Sequence, residues 1–187
     1  MSTALVLDVD ALRKAWSAGA RPTFRFFWGH RAGPGGALSD GCFSQWWPGE
    51  FAAGAVTYAN AEQYMMAGKA RLFGDADTLR EILATSDPSA VKALGRKVRG
   101  FDEARWSAHR FDLVTAGSLA KFSSNDALRA HLLASGDAVL VEASPTDTVW
   151  GIGLRASDER SLDPLQWRGL NLLGFSLVRA RAILRGE

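Results

Sequence analysis

A carboxylate and an amine lie on one face of a predicted helix that runs from Asn60 to Phe73. A helix that turns by about 100° per residue brings four side chains close to one line, Glu62, Met66, Lys69 and Phe73. The helical rise separates the Glu62 and Lys69 backbones by about 10 Å, so both side chains can reach one ligand in a cleft. That pairing suits acid–base or nucleophilic chemistry. The structural alternative is that Glu62 only complements the helix dipole while Lys69 extends its ammonium into solvent.

A second set of polar residues lies among glycines late in the chain. Asp147 stands three residues before Trp150, which begins a Trp150-Gly151-x-Gly153 turn. Such a turn lets the backbone approach a ligand closely and offers bare N–H groups beside an aromatic ring. Asn171 opens the last predicted helix, where a role as N-cap explains it without any ligand.

Several common catalytic and metal-binding patterns are absent from the sequence. It contains no G-x-x-x-x-G-K-[ST] loop and no G-x-G-x-x-G after a strand. The histidines His30, His109 and His131 are far apart and belong to no spaced set with cysteine, so we predict no metal site and no cofactor. Cys42 has no histidine nearby, and Ser118 lies within a helix rather than on a nucleophile turn.

The composition indicates an ordinary globular domain. The 187 residues are 47% hydrophobic and 22% charged, and the formal net charge of +2 favours neither a membrane surface nor a stable nucleic-acid complex as partner. The single cysteine and the lack of a signal-peptide pattern or a membrane-spanning apolar stretch predict a cytoplasmic protein. The sequence does not indicate an oligomeric state.

Two further segments have a structural and a functional interpretation. Segment 92–110 is rich in lysine and arginine, which we interpret as a solvated helix face in preference to a phosphate-binding patch. The Trp46-Trp47-Pro48-Gly49 segment is typical of a turn with exposed rings on which a planar base could stack. Aromatic clusters are nevertheless more often part of a core.

Helical signals dominate the middle of the chain, with strands on either side. Asn60 and Gln63 have capping-box spacing at the start of the central helix, and Gly74 ends it. The other predicted helices are 8–18, Asp75–Ala84, Asp87–Lys97, Asp102–Ala120, Asn125–Ser135 and Asn171–Leu184, the last with Arg179, Arg181 and Arg185 on its polar side. The predicted strands are Thr23–Trp28, Leu38–Trp47, Ala55–Tyr58, Ala138–Ala143 and Val149–Leu154, with a turn over Gly49–Gly54. This order predicts an α+β, mostly helical single domain with a small mixed or antiparallel sheet.

A series of short motifs in one order resembles the NADAR, or YbiA-like, family. They are Phe26-Phe27-Trp28-Gly29, Gly41-Cys42-Phe43-Ser44-Gln45-Trp46, Tyr58-x-Asn60-x-Glu62-Gln63-Tyr64-x4-Lys69, Ala93-Leu94-Gly95-Arg96, Trp106, Lys121-Phe122, Leu140-Val141-Glu142, Asp147-x-x-Trp150-Gly151-x-Gly153 and Asn171-x-Leu173-Gly174-x-x-Leu177-x3-Arg181. The resemblance covers residues 24–185. It implies one domain over residues 1–187, of which 1–22 form an N-terminal extension.

The resemblance implies hydrolysis of a ribose C1′–N bond in a cleft at the start of the Asn60 helix. Family members act on phosphorylated ribosylamino-pyrimidine intermediates of riboflavin biosynthesis or on ADP-ribosylated guanine. Glu62, Lys69 and Asp147 match the positions that carry the chemistry. The matching substrate-binding positions are Trp28, Gly29, Ser44, Trp46, Tyr58, Asn60, Trp106, Trp150, Gly151, Gly153, Asn171 and Gly174.

The resemblance leaves several roles open. Glu62 would stabilise an oxocarbenium ion or activate water, and Asp147 would act as acid–base or orient the ribose. Lys69 would bind phosphate or attack C1′ to give an imine. The chain departs from the family at Gln45, Gln63 and Ala70, and Gln63, beside the carboxylate, bears on substrate identity. The alternative function is a non-catalytic ADP-ribose or NAD-binding module.

Overall fold

The computed structural model describes residues 5–187 and shows an α+β domain in which helices predominate. The helices are α1 (Val9–Ser17), α2 (Ala61–Leu72), α3 (Ala76–Leu83), α4 (Pro88–Gly95), α5 (Glu103–Ser123), α6 (Asp126–Leu133) and α7 (Leu172–Arg185). The strands are β1 (Phe24–Phe27), β2 (Phe51–Ala53), β3 (Val56–Tyr58) and β4 (Val139–Glu142). Across the described residues, no helix is both long and apolar enough to cross a bilayer.

Side-chain caps explain why most helices begin where the sequence predicts. An aspartate or asparagine stands just before each of the first six helices and accepts a backbone N–H of the first turn. At α2 the Asn60 side chain accepts from the Gln63 N–H at 2.9 Å, and the Gln63 side chain in turn accepts from the Ala59 N–H at 2.7 Å. The predicted capping box is therefore present, with its return bond one residue earlier than usual.

The strands form two separate pairs. β1 and β4 are parallel, with Phe24 opposite Val139, and β2 and β3 make an antiparallel hairpin that turns at Gly54 with φ 62°. The predicted α+β class with a small sheet is confirmed, although the parallel and antiparallel pairs do not join. Phe51–Ala53, which we predicted as part of a turn, is a strand of the hairpin.

The β1–β4 pair divides the interior into two hydrophobic clusters. Leu140 of β4 packs with the larger cluster around α2, α5 and α7, whereas its neighbours Val139 and Val141 face a second cluster. Helix α1, from the segment predicted as an extension, contributes Val9 and Leu12 to that second cluster. The body of the domain therefore includes α1.

The predicted strand Leu38–Trp47 is wrong, because a buried lysine takes the backbone carbonyls that a strand would need. The chain forms a 3₁₀ turn at Asp40–Phe43. Lys121 of α5 donates to the carbonyls of Cys42 at 2.6 Å and Ser44 at 2.8 Å. These bonds hold the segment against α5, and no neighbouring strand is paired with it within the described chain.

The predicted strand Val149–Leu154 is also wrong, because a carboxylate closes a turn there. One Asp147 oxygen accepts from the N–H groups of Val149 at 2.9 Å and Trp150 at 2.8 Å. Gly153 has φ 68°, which an extended strand does not allow. The segment is therefore a compact loop.

Arg181 is buried rather than on the polar side of α7. Its side chain donates to the Ser135 hydroxyl at 2.6 Å and to the Ala138 carbonyl at 2.9 Å. α7 contacts α5, α6 and β4, so this face of the helix is covered. Partners for the guanidinium there offset the penalty of burying its charge.

Asn171 joins the start of α7 to β4. It precedes α7 as predicted, but its side chain does not cap the helix; the residue adopts φ 54° and ψ 34°. Its amide accepts from the Glu142 N–H and donates to the Leu140 carbonyl, both at 2.9 Å. Gly174 completes the junction, because a Cβ there would lie 2.1 Å from the Leu140 carbonyl oxygen.

Removing the Asn171 side chain should destabilise the domain, because two backbone groups of β4, one of them in a fully buried hydrogen bond, lose their partners. We expect both Asn171→Ala and Asn171→Gly to lower the free energy of unfolding by about 2–4 kcal/mol, measured by urea denaturation. Glycine adopts positive φ freely, so it serves as the control for backbone strain. An Asn171→Gly variant as stable as the wild type would contradict the role of the amide.

Candidate active site

One cavity of about 170 Å³ is lined by most of the polar side chains that could take part in a reaction. It lies at the start of α2, between that helix, α4, the end of β4 and the loop after β4. Its walls are formed by Ser44, Gln45, Trp46, Glu62, Met65, Met66, Lys69, Lys92, Gly95, Arg96, Glu142, Asp147, Trp150 and Leu173. All three predicted catalytic residues therefore line one space.

Glu62 is a buried carboxyl in the first turn of α2. Its backbone N–H donates to the Gln45 carbonyl at 3.0 Å, which ties the helix to the segment bearing Trp46. The residue is only 3% exposed, and within residues 5–187 its Oε1 atom has no hydrogen-bond partner. Burial raises the pKa of Glu62 to about 7; nearby Lys92 and the Trp46 indole partly oppose this effect.

Glu142, at the end of β4, is half-buried and contributes a second carboxyl to the cavity. Its Oε2 atom also lacks a hydrogen-bond partner among the residues described. Burial, with a contribution from the negative charge of Asp147, raises the pKa of Glu142 to about 8. We did not predict this residue as part of the site. The sequence does contain a signal for it, because Glu142 ends the otherwise apolar strand Val139–Glu142. Polar residues at the carboxyl ends of strands often line ligand-binding sites.

Asp147 also lines the cavity, and backbone hydrogen bonds hold its carboxylate. Its Oδ1 atom accepts both N–H groups of the turn that it closes, at Val149 and Trp150. These bonds fix the carboxylate and place the Trp150 ring in the cavity wall. Asp147 is thus a positioned, hydrogen-bonded carboxylate.

Three cationic side chains line the same cavity. Lys69 donates to the Gly95 carbonyl at 2.9 Å and lies 4.1 Å from the centroid of the Phe101 ring. Burial lowers the pKa of Lys69. Lys92 of α4 and Arg96, which follows the helix, belong to the segment that we interpreted as a solvated face, yet both line the cavity. Gly95 lets α4 pack closely against α2, because a Cβ there would lie 2.0 Å from the Met66 sulfur.

Three predicted binding residues do not line the cavity but pack in the structure around it. Tyr58 is in the core, where its hydroxyl accepts from Arg71 at 2.8 Å. Asn60 caps α2 and donates to the Ser86 carbonyl at 2.7 Å. Trp106 is buried, with its ring centroid 5.6 Å from the Lys69 amine.

The predicted backbone-approach residues contact protein rather than the cavity. A Cβ on Gly151 would lie 2.8 Å from the Glu142 carbonyl oxygen, and one on Gly153 would lie 3.0 Å from Arg168. Like Asn171 and Gly174, these residues pack chain segments together. Their positions leave Ser44, Trp46 and Trp150 as the predicted substrate-binding residues that line the cavity.

Trp28 and Gly29 lie outside this cavity. They line a neighbouring depression of about 690 Å³ together with His30, whose ring lies 5.8 Å from that of Trp46. Trp28 is 62% exposed. The His30 ring of this depression therefore lies next to the Trp46 ring of the cavity wall.

Gln63 points away from the cavity, although it follows Glu62 in sequence. Its amide donates to the carbonyls of Ile82 at 3.0 Å and Thr85 at 2.7 Å. It therefore fixes α2 to the end of α3. Gln63, where the chain departs from the family, therefore helps to hold α2 in place. It does not place a different side chain in the cavity.

Comparisons with known proteins agree with the motifs. A family model described as the NADAR domain matches residues 26–185. The chain is 44% identical over 144 residues to the N-glycosidase R617 of Acanthamoeba polyphaga mimivirus, covering 74% of this chain and 85% of that protein. It is 32% identical over 114 residues to the riboflavin biosynthesis protein PYRR of Zea mays, covering 59% of this chain and 16% of that one. The NMR structure of YbiA from Escherichia coli matches with a TM-score of 0.70 at 25% identity, covering 89% and 87% of the two chains.

The buried Glu62 carboxyl should make stability depend on pH. Its pKa rises on folding from 4.5 to about 7, so the folded state binds the proton more tightly and the wild type loses stability as pH rises through this range. We compare the free energies of unfolding of Glu62→Gln and the wild type. We expect this difference to shift in favour of the variant by roughly 1–3 kcal/mol when the pH rises from about 5 to about 8.5.

Urea denaturation of both proteins at the two pH values measures this difference, with Glu50→Gln as control because Glu50 is exposed. The same Glu62→Gln effect at both pH values would contradict the raised pKa.

Proposed function

This chain belongs to the NADAR family, and on that premise we propose that it hydrolyses the bond between ribose C1′ and a nitrogen of a phosphorylated, nucleotide-like substrate. It is a hydrolase acting on N-glycosyl bonds, as the names of its relatives indicate. The observation that carries the proposal is the Glu62 carboxyl, buried in a cavity that also contains three cationic side chains.

The chemistry of the bond explains why such a carboxyl is needed. Cleavage of an N-glycoside develops positive charge on C1′ and the ring oxygen of the sugar. A carboxylate held in a dry cavity stabilises that charge more strongly than one in water, because the local dielectric is low. Glu62 fulfils this role, and the fixed Asp147 carboxylate orients the ribose hydroxyls.

The cations at the cavity supply binding for the phosphate. Lys92 and Arg96 are four residues apart, so they project from successive turns at the end of α4 toward the same space. A phosphate held there would direct the attached ribose inward, toward the carboxyls. The cavity is smaller than the 300–1,000 Å³ typical of pockets for drug-sized ligands, so it suits the ribosyl unit while the base extends to the mouth, beside Trp46 and Trp150.

The substrate that we propose is a phosphorylated ribosylamino-pyrimidine of riboflavin biosynthesis, and ADP-ribosylated guanine is the second candidate. The similarity to a riboflavin biosynthesis protein supports the first. The depression beyond Trp46, lined by Trp28 and His30, offers room for a larger substrate and supports the second.

Incubating the purified protein separately with both substrate classes tests the proposal. We expect release of ribose 5-phosphate from the first or of ADP-ribose from the second, detected by mass spectrometry. Glu62→Gln should lower kcat/KM by about 100-fold or more, because stabilisation of the transition-state charge is lost. Binding of either compound without release would favour the non-catalytic module, and full activity of Glu62→Gln would contradict the role of the carboxyl.

Paired substitutions of Lys69 separate its two possible roles. The Gly95 carbonyl and the Phe101 ring are contacts that suit an ammonium, which supports phosphate binding. Lys69→Arg should then retain most activity, whereas Lys69→Ala should raise KM by about tenfold. Loss of activity in both variants, together with borohydride trapping of substrate on the wild type alone, would indicate an imine instead.

A further inference from the structure

We propose that Glu142 is the acid that protonates the departing nitrogen, so that the site works with two carboxyls of one cavity, Glu142 as acid and Glu62 as base. The inference rests on the proposed N-glycosidase function and assigns the acid to a residue other than Asp147. Its basis is the shared cavity and the unpaired oxygen that each glutamate has within the described residues.

The backbone of Glu142 is fixed from three sides. Its N–H donates to the Asn171 amide at 2.9 Å, and its carbonyl accepts from Ile152 at 3.0 Å. Phe27 of β1 lies opposite it in the parallel pair. Gly151 packs so closely that a Cβ would lie 2.8 Å from the Glu142 carbonyl oxygen. These contacts fix the backbone from which the carboxyl reaches the cavity.

Among residues 5–187, the Oε2 atom of Glu142 has no partner that would explain its enclosure structurally. Oε2 is enclosed and, in the part of the chain that the structure describes, makes no hydrogen bond. An unpaired buried acceptor destabilises a fold, and a purely structural role does not compensate for that loss. A neutral carboxyl avoids most of the charge penalty and keeps a proton available for a ligand.

The charged groups around the cavity favour a proton on Glu142. Burial is the largest influence, Asp147 and Glu62 add negative charge, and Lys92 opposes them. Lys69 and Arg96 also line the space. Burial raises the pKa of both carboxyls, that of Glu142 to about 8 and that of Glu62 to about 7, so Glu142 holds its proton more tightly than Glu62. Two carboxyls whose environments separate their pKa values take the acid and base roles.

Asp147 is less suited to the acid role. Its Oδ1 atom already accepts two backbone N–H groups of the turn that it closes, so this oxygen is committed to holding the loop. The negative charge of Asp147 contributes to the raised pKa of Glu142.

The step balances as follows. As the C1′–N bond breaks, its electron pair passes to nitrogen, and the Glu142 carboxyl gives its proton to that nitrogen. Water adds to C1′ and gives one proton to the Glu62 carboxylate. Transfer of that proton from Glu62 to Glu142 restores both groups, so the net change is the C1′–N bond plus water giving C1′–OH and N–H.

Leaving groups of different basicity test this assignment. The amine of a ribosylamino-pyrimidine needs a proton to depart, whereas the nitrophenolate of p-nitrophenyl riboside 5-phosphate does not. We expect Glu142→Gln to lower kcat/KM by about 100-fold or more on the amine substrate and by less than about tenfold on the nitrophenyl one. The alkaline limb of the pH profile should also disappear in this variant. Asp147→Asn, the matched control, should slow both substrates alike and keep that limb.

Infrared spectroscopy provides a readout that does not need activity. The folded wild type at about pH 7.5 should show the carbonyl band of a protonated carboxyl, and Glu142→Gln should lose it. Equal losses on the two substrates, or a band unchanged in Glu142→Gln, would overturn the assignment. A wild type that releases product from neither N-glycoside class would instead refute the proposed function, a result distinct from failure of Glu142 alone.

Discussion

Asn171 holds together the segments on which the candidate site depends. Its side-chain amide bonds to the Leu140 carbonyl and the Glu142 N–H, while its backbone N–H donates to the Gly151 carbonyl at 3.2 Å. One residue thus fixes the end of β4, the loop that follows it and the start of α7. It adopts φ 54°, and asparagine is among the few residues besides glycine that tolerate this conformation.

The cavity beside this junction encloses carboxyl groups, which lowers the stability of the fold. Glu62 and Glu142 each place one carboxyl oxygen out of contact with water in this cavity, and neither oxygen has a hydrogen-bond partner within residues 5–187. Burial disfavours ionisation, and each further negative charge adds to that effect. A protein selected for stability alone would place apolar side chains here. Stability given up in a cavity is typical of sites that bind or transform a ligand.

Local signals in the sequence predicted the helices and the central carboxylate, but not the contacts between distant segments. Caps such as Asn60 lie within one turn of the helices that they start, so six helix starts were readable. The strand predicted over Leu38–Trp47 failed because Lys121, far along the chain, takes its carbonyls. Glu142 was missed for the same reason: a carboxylate after three apolar residues gains meaning only beside Glu62. The family resemblance brought Asp147 and Lys69 into the site; spacing alone left their roles open.

The most direct test is a crystal structure of the Glu62→Gln variant with an uncleaved phosphorylated ribosylamino-pyrimidine. The ribose should lie in the cavity with C1′ within about 3.5 Å of the substituted side chain at position 62, a distance from which the original carboxylate could act. Its phosphate should contact Lys92 and Arg96, and its departing nitrogen should face Glu142. A ligand whose C1′ lies outside this cavity, for example beside Trp28, would contradict the account.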